Sequence, residues 1–136
     1  TIPQLFEEKG EEGFRQAERE ALREVAEFED VVISTGGGAP CFFDNMELMN
    51  RAGTTIYLQA EPEELADRLS ASKTVRPLIA GKSREELVPF IREHLSRREG
   101  YYKRARVVYH TGRVVSKEDI HLTVSGLGVE LKKRRK

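Results

Sequence analysis

Apolar residues recur at helical spacing over residues 11–28, where Phe14, Ala17, Ala21, Leu22, Val25 and Phe28 fall on one face. Ahead of that stripe, Thr1 as a cap, Pro3 in a first turn and Gly10 near a stop predict a separate short helix. The period then changes. Val31-Val32-Ile33 is a β-branched run bounded by turn residues, which predicts a buried strand running into Ser34-Thr35-Gly36-Gly37-Gly38. A helix over 45–52 stops at Gly53. Thr54-Thr55-Ile56-Tyr57-Leu58 is a second strand, residues 62–71 a further helix, and 73–83 an irregular loop. Residues 84–105 read as mostly helical, with Pro89 tolerable only near the start, and Val107-Val108-Tyr109 as a third strand. A last helix is interrupted by Gly126 and Gly128.

Strands alternating with helices predict an α/β fold with a parallel sheet, whose ligands sit beyond the carboxyl ends of the strands. At 136 residues, without internal repeat, low-complexity tract or linker, one compact domain over 1–136 is expected. Charge sharpens the picture only locally. Lys+Arg and Asp+Glu both number 23, so the balance argues against a general nucleic-acid binder. Residues 1–30 carry ten acids against four bases, whereas 132–136 read Lys-Lys-Arg-Arg-Lys. That basic tail, over 131–136, is either a solvated helix end or an RNA or membrane contact; the latter predicts binding that falls steeply with salt. A single cysteine excludes a disulfide framework and a thiolate-rich zinc site. No apolar run approaches the ~18 residues of a membrane span and the start is not signal-like, so a cytoplasmic protein is expected.

Four stretches carry candidate chemistry. Gly36-Gly37-Gly38 follows a predicted strand; it is either a tight turn or a place where bare backbone approaches a ligand and aims N–H groups at its oxygens. Arg15 and Glu18, three apart, share a helix face; they form either a surface ion pair or an arginine fork for a carboxylate ligand, oriented by Glu18. Thr74 to Lys82, with Arg76, Pro77 and Gly81, is either an ordinary helix–helix connection or a lid that carries an arginine to a phosphate. Arg97-Arg98-Glu99-Gly100-Tyr101-Tyr102 is either a solvated helix end or an anion site.

The order of these strings is more specific than any one of them. Phe14-Arg15-x-x-Glu18, Gly36-Gly37-Gly38-Ala39, Arg76-Pro77-Leu78 and Arg98-x-x-x-Tyr102 together resemble the shikimate kinase family, from residue 1 to about residue 110. The resemblance implies a P-loop NTPase-like three-layer parallel sheet and transfer of the γ-phosphoryl group of ATP to the 3-hydroxyl of shikimate with Mg2+, in aromatic amino-acid biosynthesis. It implies that Arg15 and Arg98 grip the shikimate carboxylate, that Glu18 orients Arg15, and that Gly37, with Gly36 and Gly38, contacts the ring hydroxyls. It further implies that Arg76, from a lid at 73–83, is catalytic and neutralises phosphate charge, and that Arg113 lies near the adenine. Shikimate is the implied partner, with no nucleic acid and no membrane, and the intact protein is expected to be a monomer.

The sequence also departs from that family. No G-x-x-x-x-G-K-[ST] phosphate loop is present, nor the aspartate-bearing strand expected after it, and no metal ligand is assigned. The chain is therefore expected to be a kinase domain without its first strand, P-loop, first helix and second strand, and inactive by itself. Without the first strand, the segments at 31–33 and 54–58 lose a shared neighbour. Asp44 is the nearest later acid, with nothing to place it as a base. Gly100 stands where the family usually has proline, which would loosen a turn after Arg98. The alternative is a non-catalytic module that binds shikimate or a similar small carboxylate.

Overall fold

The computed structural model describes residues 2–71, 81–111 and 117–134. Their elements, in order, are α1 (Ile2–Val25), a 3-10 turn (Ala39–Cys41), α2 (Asn45–Ala52), β1 (Ile56–Gln59), α3 (Pro62–Ala71), α4 (Arg84–Tyr102), β2 (Val107–His110) and α5 (Lys117–Arg134). β1 and β2 pair. The Val107 N–H donates to the Thr55 carbonyl (3.0 Å) and the Thr111 N–H to the Gln59 carbonyl (2.9 Å), so both partners advance together and the strands are parallel. By contacts the chain divides into two compact units, Thr1–Ile56 with Arg98–Val107, and Tyr57–Arg97 with Val108–Lys136.

In the first unit the two helices expected around Gly10 meet there. Gly10 has φ 68°, a left-handed conformation that breaks the helical path without a Cβ penalty. The break lays the Phe6 ring on that of Phe14, centroids 4.6 Å apart. Phe14 and Leu22 are buried, but Ala21 and Phe28 are exposed and the helix ends at Val25, short of the expected 28. α2 keeps its expected bounds, stopping as the Gly53 N–H donates to the Met49 carbonyl.

One expectation fails. Val31-Val32-Ile33 forms no strand, and Val32 is 99% exposed. A strand is made by its neighbour's hydrogen bonds, and among the described residues no strand pairs with this segment. Its β-branched composition suits a sheet interior but cannot create one alone.

In the second unit Ala66 of α3 packs against Leu87 and Ile91 of α4, with Leu65, Leu69, Val88, Phe90 and Leu95 around them. Ser83 caps α4: its hydroxyl accepts from the Glu86 N–H (3.3 Å) and donates to the Glu86 carboxylate (3.1 Å). Pro89 sits in the second turn, deeper than the sequence pattern allows, where the missing N–H costs one helical bond. α5 runs through Gly126 and Gly128 without interruption; at Gly126 the Tyr109 hydroxyl fills the space a Cβ would take.

Candidate anion-binding site

The site lies within the first unit and starts from α1. Arg15 and Glu18, one turn apart, form an ion pair of 2.9 Å with side chains only 12% and 18% exposed. The Arg15 guanidinium also stands over Phe42 (4.2 Å to the ring centroid) and near Phe14 (5.1 Å). Carboxylate and ring faces together restrict a side chain that is otherwise entropically free. Its Nε is buried and meets no acceptor among the described residues. A buried unsatisfied donor of a cation is costly unless something supplies an acceptor.

The glycine run passes across this guanidinium. The Ala39 N–H donates to the Gly36 carbonyl (3.2 Å) and the Cys41 N–H to the Gly38 carbonyl (3.0 Å), curling the chain into the 3-10 turn. A Cβ on Gly38 would lie 2.5 Å from Arg15 Nη2 and 2.7 Å from Nη1. On Gly37 it would lie 3.1 Å from Arg98 Nη1 and 3.2 Å from the Tyr102 hydroxyl, and on Gly36 it would meet only Glu18 Oε2 at 3.8 Å. Gly38 has φ −82°, which any residue adopts, so close approach is what demands glycine there. Two arginines close on the glycine run, Arg15 at Gly38 and Arg98 at Gly37, which a simple turn would not require.

α4 supplies the second arginine. Residues 98–102 are helical, so no turn follows Arg98, and Gly100 interrupts nothing. Arg98 and Tyr102 are one turn apart and face Gly37 together; the Tyr102 hydroxyl donates to the Gly37 carbonyl at 2.6 Å. Cys41 reports on both cations. Burial pushes its thiol up, while Arg98 and then Arg15 pull it back.

Behind the loop is a buried network that sequence reasoning missed. Asn45, fully buried at the start of α2, donates from Nδ2 to the Ala39 carbonyl (2.8 Å) and accepts from Arg19 Nη1 (2.6 Å). Arg19 also pairs with Asp44, which accounts for that acid as a structural partner. Phe43 takes φ 52° between the loop and α2, an unusual conformation for a bulky residue, beneath the Arg19 guanidinium (5.6 Å). Asn45 belongs to no motif, and its partners, the Ala39 carbonyl and Arg19, are brought to it by the fold.

Of the expected site residues, Arg15, Glu18, Gly36, Gly37, Gly38 and Arg98 are brought together. Arg76 and Arg113 lie outside the described residues, as do the lid positions 73–80 and the last two residues of the basic tail. The site can hold a small anion with polar substituents: two guanidiniums for a carboxylate, and exposed backbone at Gly36 and Gly37 for hydroxyls.

The shikimate kinase family model matches residues 1–126. A shikimate kinase of Parabacteroides distasonis is 53% identical over 121 residues, covering 89% of this chain and 70% of that protein. One of Phocaeicola vulgatus is 51% identical over 133 residues, covering 98% of this chain and 76% of that protein. The crystal structure of the shikimate kinase of Bacteroides thetaiotaomicron superposes with a TM-score of 0.87 at 46% identity, covering 97% of this chain and 75% of that one. The neighbour's P-loop NTPase-like α/β fold is the fold class expected from the motifs. On the match along the chain, the identities and the shared fold, this chain belongs to the shikimate kinase family.

Proposed function

We propose that the chain acts as a shikimate kinase, a phosphotransferase of aromatic amino-acid biosynthesis that moves the γ-phosphoryl group of ATP to the shikimate 3-hydroxyl, and that the glycine-loop site holds the acceptor. The observation that carries this reading is the convergence of Arg15 on Gly38 and Arg98 on Gly37, with the buried Arg15 Nε meeting no acceptor among the described residues. Arg15 and Arg98 bind the carboxylate with charge-assisted bonds, Glu18 keeps Arg15 aimed, and the backbone at Gly36 to Gly38 meets the ring hydroxyls. Fixing the acceptor this way contributes orientation, the main protein contribution to phosphoryl transfer. Arg76 is the proposed lid arginine at the phosphates and Arg113 the proposed adenine neighbour. The protein is proposed to be a cytoplasmic monomer; among the described residues no helix is long and apolar enough to cross a membrane.

The family uses ATP with Mg2+, and the described residues do not fit that half of the reaction. No three of their His, Cys, Asp or Glu side chains gather as a metal ion requires. The nearest string to a phosphate loop is Gly81-Lys82-Ser83, but Arg76 stands where its first glycine belongs. Ser83 is engaged as the cap of α4, and Lys82 Nζ lies over the Phe90 ring at 5.1 Å. The described residues thus account for the acceptor half of the reaction alone.

Calorimetric titration of the chain with shikimate tests the acceptor site. Saturable one-to-one binding is expected, weakened about ten-fold by Arg98→Lys, because an ammonium keeps the charge but loses the two-pronged fork. Absence of binding by a chain with a cooperative thermal melt would reject the reading. The missing phosphate-loop motif favours a second reading for these 136 residues, a non-catalytic shikimate binder. ADP release from ATP, Mg2+ and shikimate by the pure chain separates the two: robust release excludes the second.

A further inference from the structure

We infer that Asn50 is a positioning residue for the acceptor: from the last turn of α2 it clasps the chain leaving α4, and so sets where the Arg98 guanidinium stands against Gly37. The inference rests on the glycine-loop site being the shikimate site. Asn50 bonds through three groups. Its Nδ2 donates to the Arg104 carbonyl (3.0 Å), and its Oδ1 accepts from the Thr55 hydroxyl. Its backbone carbonyl accepts from Arg106 Nε (3.0 Å) and Nη2 (2.6 Å). The last carbonyls of a helix have no partner within it, and a cation there also suits the helix dipole. The Thr55 hydroxyl has one proton, spent on Asn50, so it receives the Arg106 N–H (2.7 Å) on a lone pair.

This clasp is joined to the site at both ends of α2. α4 ends at Tyr102, one turn beyond Arg98. The N–H groups of Lys103, Arg104 and Ala105 then donate to the Glu99, Tyr101 and Tyr102 carbonyls, so the clasped residues continue from the turn that bears Arg98. At the start of α2, Asn45 holds the carbonyl of Ala39, the residue after Gly38. One helix of eight residues, about 12 Å long, thus fastens the glycine turn at one end and the exit of α4 at the other. A helix this short is marginal by itself, so its place is set by what holds its ends. Arg15 does not depend on the clasp, being aimed by Glu18 and Phe42. Arg98 does, and a guanidinium fork needs both prongs aligned, whereas an ammonium on a flexible stem tolerates displacement.

The test titrates shikimate into the full chain and its Asn50→Ala and Thr55→Val variants, each with and without Arg98→Lys. Both clasp changes are expected to weaken binding three- to ten-fold, and Thr55→Ser, which keeps the hydroxyl, to stay within two-fold. In the Arg98→Lys chain the same two changes are expected to cost less than two-fold further, because an effect that passes through the fork is lost only once. Full additional losses there, or no loss in the chain that keeps Arg98, would overturn the inference while leaving the site reading intact; no binding by the unmodified chain would overturn both. A thermal melt identifies folded variants, and Thr55→Val, which keeps the side-chain shape, carries the test where Asn50→Ala does not fold. In the ligand-free chain, the Gly37 amide 1H–15N signal is expected to move on Thr55→Val while those of α3 stay. A clasp that only caps α2 would leave Gly37 unmoved, and that result would refute the positioning role independently of any ligand.

Discussion

Gly38→Ala is expected to weaken shikimate binding about 100-fold while costing no more than about 1 kcal/mol of stability. The backbone itself tolerates alanine, because φ −82° and ψ −23° lie in the right-handed helical region. The new methyl would instead stand 2.5 Å and 2.7 Å from the two terminal nitrogens of Arg15 and 2.9 Å from its Cζ. The cheapest relief is for the guanidinium to swing away, since it is the far end of a flexible side chain. That breaks its 2.9 Å pairing with Glu18 and its stacking on Phe42, which are the contacts that aim it. Losing one of two charge-assisted anchors removes roughly 1.5–3 kcal/mol of binding, a factor of about 10 to 150. Gly36→Ala is the control: its methyl meets only Glu18 Oε2 at 3.8 Å, an ordinary contact, and affinity is expected to stay within about two-fold. Titration calorimetry paired with a thermal melt reads both. Wild-type affinity in Gly38→Ala would mean that Arg15 does not hold the acceptor.

Asn45→Ala is expected to be the most destabilising change near the site, at about 3 kcal/mol, measured as a shift in the urea midpoint. Asn45 has no exposed surface and spends both ends of its amide, on the Ala39 carbonyl and on Arg19. Alanine leaves a buried carbonyl without its donor and takes an acceptor from a cation that is still paired with Asp44. Each loss costs on the order of 1–2 kcal/mol, against a typical total of 5–15 kcal/mol for a domain. The damage should be local. Amide hydrogen exchange is expected to quicken over residues 39–52, while the amides around Ala66, Leu87 and Ile91, a core with no member in this network, keep their protection. Uniform loss of protection would show that the network also supports the second unit.

Much of the element order is legible because its signals are local. Gly10 and Gly53 punctuate helices as their chemistry predicts, α3 keeps its expected bounds, and the Arg15–Glu18 pair follows from a spacing of three on one helix. The strand expected at 31–33 fails for the complementary reason. Periodicity and β-branching describe what a sheet interior accepts, but pairing is non-local, and here no described strand bonds to those residues. The same limit hides Asn45, whose importance is set by two partners, six and 26 positions away.

The division between sequence and tertiary structure falls inside the site itself. The chain alone pointed to its family, through four short strings in a characteristic order, and through that resemblance named Arg15, Arg98 and the glycine run as candidates for an anion site. It did not determine why those glycines are needed. Only the fold decided that, by bringing Arg98 and Tyr102 of α4 within about a van der Waals contact of Gly37, and Arg15 of α1 against Gly38. The physical reason is range: helical period and turn chemistry act over three or four residues, whereas the space beside a glycine is filled by whatever the packed chain brings back to it.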